Sequence, residues 1–134
     1  MPLPAEAYEE AWKNDKSICA MSESVYREWR GNIKEAETAW ELSSLIESKL
    51  DPDKALGVIL GIMALDNNGQ ELGRLGAGPL EDFLNELGPE YIDVIEQLAA
   101  KNSRFRKVLK GVWQTDEMDL AVWTRVEKIR GDVE

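Results

Sequence analysis

Asp51-Pro52-Asp53-Lys54-Ala55-Leu56-Gly57-Val58-Ile59-Leu60-Gly61-Ile62-Met63-Ala64-Leu65 is the stretch that decides the fold. Asp51 offers the short acceptor side chain that an N-cap needs, and Pro52 suits the first helical position, where its missing N–H costs nothing. From Ala55 to Leu65 no side chain is charged or strongly polar. A membrane span takes about twenty such residues. These are too few, so the segment reads as a core helix buried on all sides, with other helices around it. Gly57 and Gly61 stand four apart, on one face, where a neighbouring helix is able to come close.

The segments on the N-terminal side keep helical spacing. Ala5, Tyr8 and Trp12 predict a short first helix behind Pro4, and Ile18, Met21, Val25 and Trp29 a second that stops at Gly31. Asn32 with Glu35 resembles a capping box, opening a third helix lined by Ile33, Ala36, Trp40, Leu45 and Leu50.

Beyond Leu65, Asp66-Asn67-Asn68-Gly69 is a turn, since its glycine and glutamate are misplaced for a calcium loop. Leu72 and Leu75 predict a short helix, and Gly76-Ala77-Gly78 a break. Gly78 and Pro79 then read as the start of a helix with Glu81 and Asp82 in its first turn. Gly88-Pro89 reads as another start, leading to Ile92, Ile95, Leu98 and Ala99. Asn102 predicts the cap of a basic helix with Phe105, Val108 and Leu109. Thr115 predicts the cap of a last helix, with Asp116, Glu117 and Asp119 at its start and Met118, Val122, Val126 and Ile129 along its stripe.

No strand-like alternation competes. The expectation is an all-α fold, a compact bundle or short helical-hairpin stack of about seven helices, forming a single helical domain over 1–134. Hydrophobic content of 43% with 31% charged residues is globular composition.

Composition also narrows function. Histidine is absent, which removes the commonest general base and zinc ligand and every Ser-His or Cys-His pair. No cofactor, metal or catalytic residue is expected, and the chain is not expected to be an enzyme. Cys19 stands alone, so no disulfide within the chain is possible; a reducing cytoplasm suits it, and the residue reads as an inert, buried small hydrophobe. The acidic start reads as lacking a secretory signal.

The net charge of −10 is unevenly spread. Residues 51–100 hold 10 acids and 2 bases, while residues 101–134 hold 6 acids and 8 bases. Glu81 and Asp82 are accounted for by the helix dipole. The stripe Asp82, Glu86, Glu90, Asp93 and Glu96 contains like-charge pairs at helical spacing, and these cost stability. Two expectations follow. Either the basic helix from Asn102 to Lys110 folds back and neutralises the stripe, or the stripe is a surface for a basic protein. An acidic chain is not expected to bind nucleic acid directly, nor a membrane. The five tryptophans at 12, 29, 40, 113 and 123 read as core anchors, with one or two available as exposed hot spots and for self-association.

Ala77-Gly78-Pro79-Leu80-Glu81-Asp82-Phe83-Leu84, then Gly88, Ile92, Ile95, Glu96 and Ala99, then Phe105-Arg106, Leu109 and Val112-Trp113, form a pattern. It resembles a family of small all-helical bacterial proteins classed as a domain of unknown function, with Trp40 as an upstream anchor. The resemblance implies a helical fold and a bacterial or phage setting, and carries no activity. The functional expectation is a small acidic protein-binding module, such as an immunity or antitoxin-like inhibitor of a basic toxin or nuclease. A DNA-mimic or phage-encoded inhibitor, a structural or adaptor subunit, and last a carboxylate-based enzyme are the alternatives.

Overall fold

A computed structural model describes residues 2–31 and 37–131. Its elements in chain order are α1 (Ala5–Asn14), α2 (Lys16–Trp29), α3 (Glu37–Ser48), α4 (Pro52–Leu65), α5 (Leu72–Leu75), a π-helical turn (Gly76–Leu80), α6 (Glu81–Lys101), α7 (Ser103–Leu109) and α8 (Leu120–Arg130). Among the described residues there is no strand, and the fold is all-α. No described helix is long and apolar enough to cross a membrane. The expected Asn32–Glu35 start of the third helix, with Ile33 and Ala36, lies outside the described residues.

The core is built around α4. Asp51 accepts a hydrogen bond from the Lys54 N–H at 3.1 Å, the capping that its side chain suits. Every residue from Ala55 to Met63 is buried. Gly57 and Gly61 seat the N-terminal pair: a β-carbon on Gly57 would stand 3.1 Å from an Ile18 methyl, and one on Gly61 would strike Ser22 and lie 3.2 Å from Cβ of Trp12. The buried Ser22 hydroxyl turns to the Ile18 carbonyl at 2.8 Å and lies 3.2 Å from that of Val58. Asp15 opens α2 by accepting from the Ser17 N–H at 2.9 Å. The apolar spacing that predicts α2 does not announce this cap.

Tyr8 and Tyr91 lock α1 and α6 onto the start of α4. Both hydroxyls donate to Oδ1 of Asp53, at 2.6 and 2.8 Å, and Tyr8 Oη accepts from the Leu3 N–H at 2.8 Å. Phe83 meets Tyr91 edge to face, with ring centroids 5.1 Å apart. At the other end of α4, the buried Asp66 accepts from the Glu71 N–H at 2.7 Å and the Tyr26 hydroxyl at 3.2 Å, closing the expected turn. Gly69 supplies its left-handed backbone, with φ +72°.

Three expected boundaries are corrected. Gly76-Ala77-Gly78 is not a break: it forms the π turn, which runs without interruption from α5 into α6. Gly88-Pro89 is not a helix start either, because α6 is continuous for 21 residues. An interior proline removes one helix hydrogen bond. Here Pro89 lies on the exposed side, while Gly88 on the buried side admits Val122 of α8, whose methyl would stand 3.0 Å from an added β-carbon. Finally, Asp119 and not Thr115 caps the last helix, accepting from the Ala121 N–H at 2.9 Å. Thr115 instead hydrogen-bonds the Asn85 side chain at 2.7 Å, fixing the connection against α6.

Candidate protein-binding surface

On a helix of 3.6 residues per turn, Asp82, Glu86, Glu90, Asp93 and Glu96 fall within about a third of the circumference. The continuity of α6 through Pro89 is what makes them one stripe, since a helix restarting there would have turned the two halves apart.

The stripe divides into two ends. At the C-terminal end Arg125 of α8 bridges Asp93, at 2.5 Å, and Glu96, to which it donates through both Nε and Nη2. The hydrogen bonds that Arg125 donates to Glu96, and then to Asp93, push its pKa above the ordinary value. At the N-terminal end Lys49 reaches Glu86 at 3.7 Å. Asp82 and Glu90 meet no cation among the described residues.

Asp82 stands in an accumulation of acids drawn from three parts of the chain. Burial raises its pKa first, then the charges of Glu81, Glu47, Glu117 and Glu86. The expected explanation of Glu81 and Asp82 as first-turn carboxylates is corrected, because the π turn in front of them leaves no free helix start there. Glu81 instead accepts from the backbone N–H of Trp113 at 2.9 Å. It ties the α7–α8 connection to the stripe.

The expected neutralisation by the helix from Asn102 to Lys110 is also corrected. Arg104 donates to the carbonyls of Met63 and Asp66, capping the end of α4, and Arg106 donates to the Ala99 carbonyl at 2.5 Å. Lys107 and Lys110 are exposed and form no ion pair among the described residues. The helix that neutralises part of the stripe is α8, more distant in sequence. Arg125, one of the two arginines of α8, gives no signal in the sequence among the 8 bases of the C-terminal segment.

The tryptophans split as well. Trp123 is buried and Trp12 and Trp29 pack half-buried on the core, as core anchors should. Trp113 is 61% exposed and Trp40 73% exposed. The Trp113 ring lies over the Arg130 guanidinium at 4.2 Å, and Arg130 also faces Trp123 at 5.5 Å and donates to the Val112 carbonyl. An exposed ring is thereby fixed in one orientation beside Glu81. Cys19 is half-buried and not fully buried as expected; burial and Glu23 raise its pKa, which keeps the thiol protonated. No metal-ligand cluster occurs among the described residues.

Neither the curated proteins nor the solved structures give a match. A family match does emerge, over residues 28–133, and it is wider than the 77–113 pattern while still leaving out α1 and most of α2. The chain belongs to this family of unknown function, DUF6869.

Proposed function

We propose that the protein is a binding module for a basic protein, of the immunity or antitoxin type, and that the N-terminal end of the acidic stripe is its contact surface. The observation that carries this reading is the environment of Asp82: burial and then four further carboxylates raise its pKa, while at that end Lys49 forms its ion pair with Glu86 and not with Asp82. Accumulated like charge costs folding stability and is relieved when a cation arrives. Trp113 supplies the aromatic anchor such contacts favour, already held by Arg130 and by its own N–H to Glu81. Binding without catalysis also suits a chain that has no histidine.

A DNA-mimic role has less support. Residues four apart on a helix are about 6 Å apart along its axis, sparser than the charge on duplex DNA, about one per 1.7 Å. Arg125 interrupts the series as well.

The test is affinity capture from the source cells with the wild-type chain, the triple variant Asp82→Asn/Glu86→Gln/Glu90→Gln, and Trp113→Ala. The expected result is one basic protein, retained by wild type at low salt, released as salt rises, and lost with both variants. Capture that ignores salt and the triple variant overturns the reading, and so does capture of no protein at all. Displacement of the partner by added duplex DNA at moderate salt transfers support to the mimic.

A further inference from the structure

The other exposed tryptophan, Trp40, belongs to a different surface. Together with Leu50, which is 83% exposed, and with Met21 and Leu45, it flanks an open groove of about 400 Å3 along α3. Trp40, Ser44 and Ser48 are spaced by four, so they form one stripe, large at its start and small in its middle. Lys49, at the end of α3, adopts a left-handed backbone with φ +58°, a costly conformation for a residue with a β-carbon. Leu50 follows directly. Among the described lining residues the charged ones are Glu41, next to Trp40 in the chain, and Lys54, four positions past Leu50. Lys54 reaches Ser17 at the start of α2, while Glu28, near the end of α2, holds the N–H groups of Thr38 and Ala39. The two charges therefore lie towards opposite ends of the groove.

We propose that a second copy of the chain closes this groove, packing α3 antiparallel against its own counterpart about a two-fold axis near Ser44. The arrangement of the lining supports this occupant over another. Two copies of a chain with net charge −10 repel each other. A face on which they meet must therefore carry its own charge match, and Glu41 and Lys54 at opposite ends provide it. Under a two-fold axis each acid faces the partner copy's base, twice. The same operation lays Trp40 of each copy across the small serines of the other, towards Leu50, so large meets small along the whole stripe. A basic partner of the kind proposed for the acidic stripe would find one acid here and be repelled by Lys54. The two surfaces thus suit different occupants.

Sedimentation velocity of the full chain across micromolar to millimolar concentrations tests the inference. A reversible dimer is expected, with Trp40→Ala raising its dissociation constant about tenfold or more. Glu41→Lys alone and Lys54→Glu alone should each weaken the dimer by setting like charges together. The double reversal should restore it. Lys54 also donates to the Ser17 hydroxyl at 2.7 Å, so circular dichroism must show each variant folded. A chain that remains monomeric throughout overturns the proposal, leaving the groove for a different molecule. A dimer indifferent to Trp40→Ala and to the single reversals overturns the placement, and a double reversal without rescue overturns the two-fold arrangement. The acid-stripe triple variant should dimerise as wild type does.

Discussion

Cα of Gly111 lies 3.0 Å from the point where a β-carbon on Gly76 would stand, so the π turn and the end of α7 meet backbone to backbone. The added carbon would also overlap the Val108 carbonyl, and one on Gly111 would stand 2.5 Å from the Gly73 carbonyl oxygen. Neither neighbour is a side chain able to swing away. Gly76→Ala and Gly111→Ala should each cost about 2–3 kcal/mol of stability in urea unfolding. Gly78 has nothing within 4 Å of its would-be β-carbon and has no positive φ. Gly78→Ala should therefore gain about 0.5 kcal/mol by limiting the unfolded chain.

The Tyr8–Asp53–Tyr91 latch predicts an alkaline limit. Burial, and then the hydrogen bond to Asp53, hold both hydroxyl pKa values well above the ordinary 10.0. A raised folded-state value contributes stability that is complete below the unfolded value and is lost as pH rises beyond it. Thermal stability should fall above about pH 10. Tyr91→Phe should cost about 1 kcal/mol at pH 7 and flatten that alkaline fall. Asp53→Ala, stranding both hydroxyls, should cost more than either single Tyr→Phe change.

Asp82 carries the opposite meaning at neutral pH. Its folded pKa is raised from 3.8, so its contribution is present below that value and lost as the carboxyl ionises. Asp82→Asn should consequently stabilise the protein at pH 7, by about 0.3 kcal/mol for each like-charge pair relieved. The gain should vanish as the pH falls through the carboxylate range. Paired unfolding curves at pH 7 and pH 3.5 check the sign.

Arg125→Ala should behave differently in stability and in binding. Its ion pairs lie at the surface, with Asp93 78% exposed, so the loss should be about 0.5–1 kcal/mol and smaller in high salt. The same change frees Asp93 and Glu96, lengthening the available acidic stripe. Affinity for a basic partner at low salt should rise even as the melting temperature falls.

What the sequence made legible was whatever local chemistry decides. Asp51 and Pro52 announce α4, and the spacing of Gly57 and Gly61 foretells a close helix approach, because a cap and a missing β-carbon act on immediate neighbours. Gly88-Pro89 misled because the same pair serves either to begin a helix or, with glycine inward and proline outward, to let α8 pack against an unbroken one. The choice rests on Val122, 34 positions away in the chain. At the candidate surface the five acids were visible from composition, and the continuity of α6 joins them. Their partners were not: Lys49 and Arg125 arrive through tertiary packing, while the adjacent basic residues Arg104 and Arg106 are spent on backbone carbonyls.

The notches at Gly57 and Gly61 lie inside the family's segment, yet the side chains that fill them, Ala11, Trp12, Ile18 and Ser22, lie before residue 28. The two parts therefore have a shared heredity imposed by shape. A larger residue in α4 survives only alongside a smaller one in α1 or α2, and a new N-terminal pair is admissible only if it presents the same small contours. Across descendants of this chain, substitutions at Gly61 and Ser22 should arise together, so that the boundary of the family does not coincide with the boundary of what must evolve as one piece.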